Sequence, residues 1–218
     1  MTRCIAVLVL IGGLLGSTPA YSSTIDFTDA YAVSNWTAVL QCGLNPRSPG
    51  PGGCGSISTA GAPYSITLTS GNEARGYDIG ANESQDFLFT AFETATISFA
   101  WSYASYDQSG PFYDPFGWLL NGAFTNLTGT QRIGCYVGFS RAAICDQSGL
   151  VSFLVAPGDV FGFRANSIDV FEGPAITTVS SFSATTPVPV PEPSTFILVG
   201  SVCLFATWRR LRACRASP

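Results

Sequence analysis

The chain has no histidine and no lysine among its 218 residues, and only 11% of its residues are charged. Without histidine, neither a Ser-His-Asp nor a Cys-His arrangement can be assembled. Without lysine, Schiff-base chemistry and a Walker phosphate loop are excluded as well. Carboxylate chemistry of the glycoside-hydrolase kind is what remains for an enzyme. Arginine supplies every cation, and five of the ten arginines lie at the chain ends: Arg3, Arg209, Arg210, Arg212 and Arg215. Residues 21–190 carry thirteen carboxylates against five arginines. An acidic body of this kind lacks the basic surface that nucleic-acid binding requires, so no nucleic-acid partner is expected.

Long apolar runs are also scarce; two short ones lie at the ends. In "MTRCIAVLVLIGGLLGSTPA", Arg3 precedes an apolar stretch from Ile5 to Leu15, and Thr18-Pro19-Ala20 offers a small-residue cleavage site. Residues 1–20 are therefore read as a signal peptide. At the other end, Phe196 to Trp208 would span roughly 20 Å as a helix, against a bilayer core of about 30 Å. Trp208 suits a membrane boundary, and the neighbouring arginines can reach lipid headgroups and lengthen the effective span. A membrane helix over 194–208 is thus expected, with 209–218 as an Arg-rich cytoplasmic tail. Arg209, Arg210 and Arg212 set its topology. Pro187, Pro189, Pro191 and Pro193 forbid a helix or central strand, which marks 186–193 as an extended linker.

Between the ends, strand signals dominate. In "TATISFAWSYAS", Ile97, Phe99, Trp101 and Tyr103 alternate with small polar residues, the period of a strand with one buried face. "FGWLLNGAFTNLT" sets Asn121-Gly122 between two such runs, a hairpin signal. "LVSFLVAPGDVFGFRA" repeats that scheme around Pro157-Gly158-Asp159, and "YSITLTS" and "ITTVSSFSA" read as further strands. No stretch of the body has a convincing helical period. The expected fold is all-β: an antiparallel, jelly-roll-like β-sandwich over 23–185.

Four cysteines fall in the body: Cys42, Cys54, Cys135 and Cys145. An even count in an exported domain predicts disulfides, with three connectivities open. The sequential pairs Cys42–Cys54 and Cys135–Cys145 are favoured, the first closing the Gly/Pro-rich loop "CGLNPRSPGPGGC". Their spacing does not suit zinc. Asp107 and Asp114 in "YDQSGPFYDPFG" admit three readings. They can fix a turn through backbone amides, supply hard oxygen ligands to calcium, or form a catalytic pair, in that order of expectation. No cofactor other than calcium is expected. Phe112, Tyr113, Phe116 and Trp118 are either core or a sugar-stacking platform, core being the commoner fate.

Pro191-Glu192-Pro193, a short apolar helix and an arginine cluster, in that order, resemble the PEP-CTERM sorting signal of exported proteins in exopolysaccharide-making Gram-negative bacteria. The resemblance covers Pro191 to Arg215, and the tail departs from it by continuing as "ACRASP". It implies recognition of Pro191, Glu192 and Pro193 by an exosortase, transient anchoring in the inner membrane, and delivery to the cell surface or extracellular matrix. "SNWTAVL", "SFAWSYASYDQSGPFYDPFGWLLNG", "PGDVFGFRANSID" and "SSFSA" resemble the β-rich ectodomains such proteins carry. The expected role is non-enzymatic: a structural or adhesive component associated with exopolysaccharide or biofilm. A carbohydrate-binding module is the alternative, and a carboxylate-based glycosidase ranks below it.

Overall fold

Alternation in the longest aromatic run governs the architecture. Over Ala95–Ser105 (β6) the residues Ala95, Ile97, Phe99, Trp101, Tyr103 and Ser105 are buried, while Thr96, Ser98, Ala100, Ser102 and Ala104 face outward. The computed structural model describes residues 21–42, 54–72, 83–130, 135–137, 140–141, 145–168 and 173–187. One compact unit runs from Ser22 to Thr186; a second gathers Met1–Tyr21 and Pro187–Pro218, of which only Tyr21 and Pro187 are described. The expected signal peptide, membrane helix, sorting motif and arginine tail lie outside the described residues. Among the described residues no helix is long and apolar enough to cross a membrane.

The remaining strands are β1 (Tyr21–Ile25), β2 (Thr37–Gln41), β3 (Ser56–Ser58), β4 (Ser65–Thr69), β5 (Glu83–Thr90), β7 (Phe116–Leu120), β8 (Ala123–Asn126), β9 (Tyr136–Val137), β10 (Ser140–Arg141), β11 (Asp146–Val155), β12 (Val160–Ser167) and β13 (Ala175–Pro187). Two 3-10 turns, Asp29–Tyr31 and Val33–Asn35, precede β2. One sheet has the order β11-β6-β13-β4-β3, with β1 also paired to β13; the other has the order β2-β5-β12-β7-β8. β9 and β10 form a small pair of their own. The pairings β11–β6, β6–β13, β13–β4, β4–β3, β2–β5, β5–β12, β12–β7 and β7–β8 are antiparallel. The nested pairs β7–β8, β6–β11, β5–β12 and β4–β13 alternate between the sheets, as in a single long hairpin rolled up. This is jelly-roll winding.

The core lies between the sheets and is aromatic. The Trp36 ring stacks on Phe87 (5.0 Å, 9°) and Phe163 (5.5 Å, 12°) and meets Phe27, Phe161 and Phe182 edge-on. Its indole N–H donates to the Tyr31 carbonyl at 2.9 Å, so the 3-10 turn that delivers the ring also satisfies its polar atom. In β13 a bulge between Ser180 and Ser183, with Ser181 at φ 49°, breaks strict alternation and turns Phe182 inward beside Phe27.

Two turns with similar sequence signals diverge. Asn121 (φ 50°) and Gly122 (φ 82°) join β7 to β8 as a two-residue hairpin, as expected. The Pro157-Gly158-Asp159 turn does not close a hairpin, because β11 and β12 lie in opposite sheets. Asp159 and Gly158 bind Ala91 through the backbone (2.8 and 2.7 Å), and the Asp159 carboxylate accepts from Ala156 N (2.7 Å) and Asn121 Nδ2 (2.9 Å). These bonds send β12 across the core, where Phe161 meets Phe153 edge-on at 5.9 Å. A period of two is common to hairpin partners and to strands facing each other across a sandwich, which is why the sequence does not separate the two cases.

Both expected disulfides are formed, Cys42–Cys54 and Cys135–Cys145.

Candidate functional site

The antiparallel registers place outward residues of the first sheet in rows. One row reads Ser148, Ser102, Thr178, Thr67, Ser58 across β11, β6, β13, β4 and β3. Every position in it carries a hydroxyl, and neighbouring strands lie about 4.8 Å apart. The next row reads Asp146, Ala104, Ile176, Thr69, Ser56, and the row on the other side reads Leu150, Ala100, Ser180, Ser65. Asp146 is the only ionisable side chain in these three rows. The rest of the three rows is neutral, mostly serine and threonine with Ala100, Ala104, Leu150 and Ile176 between them.

A groove of about 390 Å³ opens on this face, lined chiefly by Ser102, Ala104, Asp146, Ser148, Ile176 and Thr178. Ala104 and the partly exposed Ile176 give it an apolar floor, while three hydroxyls and one carboxylate surround that floor. Hydroxyls both donate and accept, and a carboxylate accepts strongly, so the groove can satisfy a ligand rich in hydroxyl groups. Gly149 lies next to the groove on the inward face, opposite Trp101; a Cβ there would come within 2.9 Å of the Trp101 indole nitrogen.

Asp107 and Asp114 are both buried, at 0% and 1% exposure, at one end of the sandwich. Asp107 accepts from the Ser109 amide, and its own N–H donates to Ser105 Oγ at 3.2 Å. Asp114 Oδ1 accepts from Ser70 Oγ (2.8 Å), which in turn accepts from Ala175 N (2.7 Å); the Tyr103 hydroxyl donates to the Asp114 carbonyl (2.9 Å). The Asp107 carboxylate therefore fixes a turn within the 106–115 loop, and the Asp114 carboxylate ties that loop to Ser70 at the end of β4. Among the described residues no cluster of three or more His, Cys, Asp or Glu side chains is gathered to hold a metal ion. Of the four aromatics in this stretch, Phe116 is fully buried and Trp118 stacks on Phe153 (4.1 Å, 13°), so both belong to the interior. Phe112 and Tyr113 meet edge-to-face at 5.0 Å and are half-buried.

On the second sheet, Arg164 holds Asp86 in a two-pronged ion pair, both contacts at 2.6 Å, and its guanidinium lies 5.9 Å from the Phe124 ring centre. The hydrogen bond to Asp86 keeps the Arg164 pKa above its ordinary value. On the opposite, inward phase of β5, the Gln85 amide is oriented to donate to the Ala165 carbonyl (3.1 Å) and accept from Gly55 N (3.3 Å).

The groove residues were not singled out from sequence, although Ser102 and Ala104 stood on the outward phase of β6. Their partners on β11 and β13 join them only through pairings of high sequence separation.

No protein-family model matches the chain, and no curated protein matches it. Among solved structures it is similar to a family 35 carbohydrate binding module from Clostridium thermocellum, at 10% identity over 77% of this chain and 99% of that one, with a TM-score of 0.30. It is also similar to CBM27-1 of Caldicellulosiruptor saccharolyticus, solved with mannohexaose, at 14% identity over 74% and 96% with a TM-score of 0.33. The Podospora anserina GH26-CBM35 mannanase matches at 16% identity over 71% of this chain and 29% of that one, with a TM-score of 0.26. Superpositions this loose carry no argument, and the sandwich is defined here by its own strand pairing.

Proposed function

We propose that this protein is an exported, non-catalytic module that holds neutral, hydroxyl-rich polysaccharide on the outer face of the β11-β6-β13-β4-β3 sheet. The observation that carries this is the row Ser148, Ser102, Thr178, Thr67, Ser58 beside a groove floored by Ala104 and Ile176. Each net hydrogen bond to such a row is worth about 0.5–1.5 kcal/mol, so binding is weak per contact and gains from a polymer that engages many at once. Binding without turnover is favoured because, among the described residues, Asp146 is the only carboxylate lining the groove, whereas glycoside hydrolysis uses a pair.

The sequence order Pro191-Glu192-Pro193, apolar run, Arg209, Arg210 and Arg212 supports an exosortase-processed route to the cell surface or matrix. There the module would serve as an adhesive component of exopolysaccharide. The test is electrophoresis of the full-length chain through gels cast with neutral mannan, xylan or glucan, or with exopolysaccharide from the host. Retardation in at least one gel is expected, and Thr178→Arg, which fills the groove, should abolish it. Free migration of the parent in every gel would refute the reading.

A further inference from the structure

Among the described residues the longest edge strand is left open. β11 runs for ten residues at the margin of its sheet, and β6 is its only strand partner among the described residues. The other edge strands of the two large sheets, β1, β2, β3 and β8, have five, five, three and four residues. Soluble proteins blunt such margins with charge, proline, bulges or short strands. From Gln147 to Val155 β11 has no charge and no proline, and its ten-residue register with β6 is unbroken. Its outward face carries Leu150 and Leu154, 83% and 65% exposed, on either side of Ser152.

That spacing is self-complementary. An antiparallel pairing of β11 with itself about a two-fold axis at Ser152 sets Leu150 opposite Leu154 of the second copy, twice, with the two Ser152 residues facing at the centre. On the other face of the joined sheet Val151 then opposes Phe153 of the second copy, and Gly149 opposes its Val155. The two Asp146 side chains end about 40 Å apart at the usual rise per residue, well beyond the Debye length of about 8 Å, so the acidic groups do not repel across the seam. We propose that two copies of this chain pair edge to edge through β11, joining their β11-β6-β13-β4-β3 sheets into one continuous sheet. An isologous contact of this kind closes on itself as a dimer. The pairing stands whether or not the groove binds polysaccharide. If it does, the dimer presents two grooves on one face.

The full-length chain in non-ionic detergent should sediment as a concentration-dependent dimer. Leu150→Glu/Leu154→Glu, which sets like charges opposite each other, should sediment as a monomer with an unchanged circular dichroism spectrum. In a background with Cys4, Cys203 and Cys214 replaced by serine, Ser152→Cys should give a reducible dimer band. Ser98→Cys, one strand in from the edge, should not. Should the glutamates unfold the chain, the cysteine pair decides. A parent that stays monomeric at every concentration, a dimer that survives folded Leu150→Glu/Leu154→Glu, or equal cross-linking at positions 98 and 152 would overturn the proposal.

Discussion

Replacing Trp36 by alanine probes the point on which the two sheets close. The ring is 7% exposed, stacks on the cross-strand neighbours Phe87 and Phe163, and donates to the Tyr31 carbonyl. Truncating a buried tryptophan costs about 3–5 kcal/mol through lost transfer energy and the cavity left behind. The orphaned Tyr31 carbonyl adds up to about 1 kcal/mol. For a unit of this size each kcal/mol lowers the melting temperature by roughly 2–4 °C, so a loss of about 4 kcal/mol corresponds to roughly 8–16 °C. Trp36→Phe keeps an aromatic ring but not the donor, and should cost about 1–2 kcal/mol. Thermal melts followed by near-ultraviolet circular dichroism measure both. A Trp36→Ala melt within about 1 kcal/mol of the parent would refute the placement of this ring at the centre of the core.

Other expected outcomes follow from single groups. The Tyr31 hydroxyl is buried with no hydrogen-bond partner among the described residues, and burial, aided by the charge of Glu93, pushes its pKa up to about 12. Tyr31→Phe should therefore leave the melting temperature unchanged or raise it; a loss above about 1.5 kcal/mol would show an unseen partner. In the parent, the contribution of this group to stability is full below pH 10 and is lost as pH rises through about 12. Asp159 is held below its ordinary 3.8 by the Asn121 side chain and the Ala156 amide, so its contribution is full above that value and lost as pH falls through the lower folded one. Asp159→Asn should flatten the acid limb of the melting profile, and an unchanged limb would contradict the clamp. Glu192→Ala should leave export intact but accumulate tail-bearing protein in membranes, seen by intact mass; normal release would remove the sorting proposal.

Periodicity revealed the strands whose two faces differ in polarity. Ile97, Phe99, Trp101 and Tyr103 announced β6, and Asn121-Gly122 announced its hairpin, because strand pleat and turn chemistry are local. β5 gave no such signal: Glu83, Ser84, Gln85 and Asp86 are all buried, and the groups that satisfy three of them are distant in sequence, Arg164 for Asp86, Ala165 and Gly55 for Gln85, and Gln41 for Ser84. The corner at Pro157-Gly158-Asp159 read as a hairpin because its partners Ala91 and Asn121 are distant in sequence. Asp107 bonds the Ser109 amide two residues on, the local turn role expected of it, whereas the Ser70 partner of Asp114 is distant in sequence and emerges only on folding. The groove was the least legible feature. Serine, threonine and alanine on outward positions look like ordinary solvated faces until the register sets five hydroxyls in line.

Amide hydrogen exchange of the full-length chain, with and without the polysaccharide that retards it in gels, reads the location of binding directly. Protection confined to residues 102–104, 146–148 and 176–178 is the predicted result. Protection on β2, β5 or β12 instead, or a pattern unchanged at saturating polysaccharide, would contradict the assignment of this face.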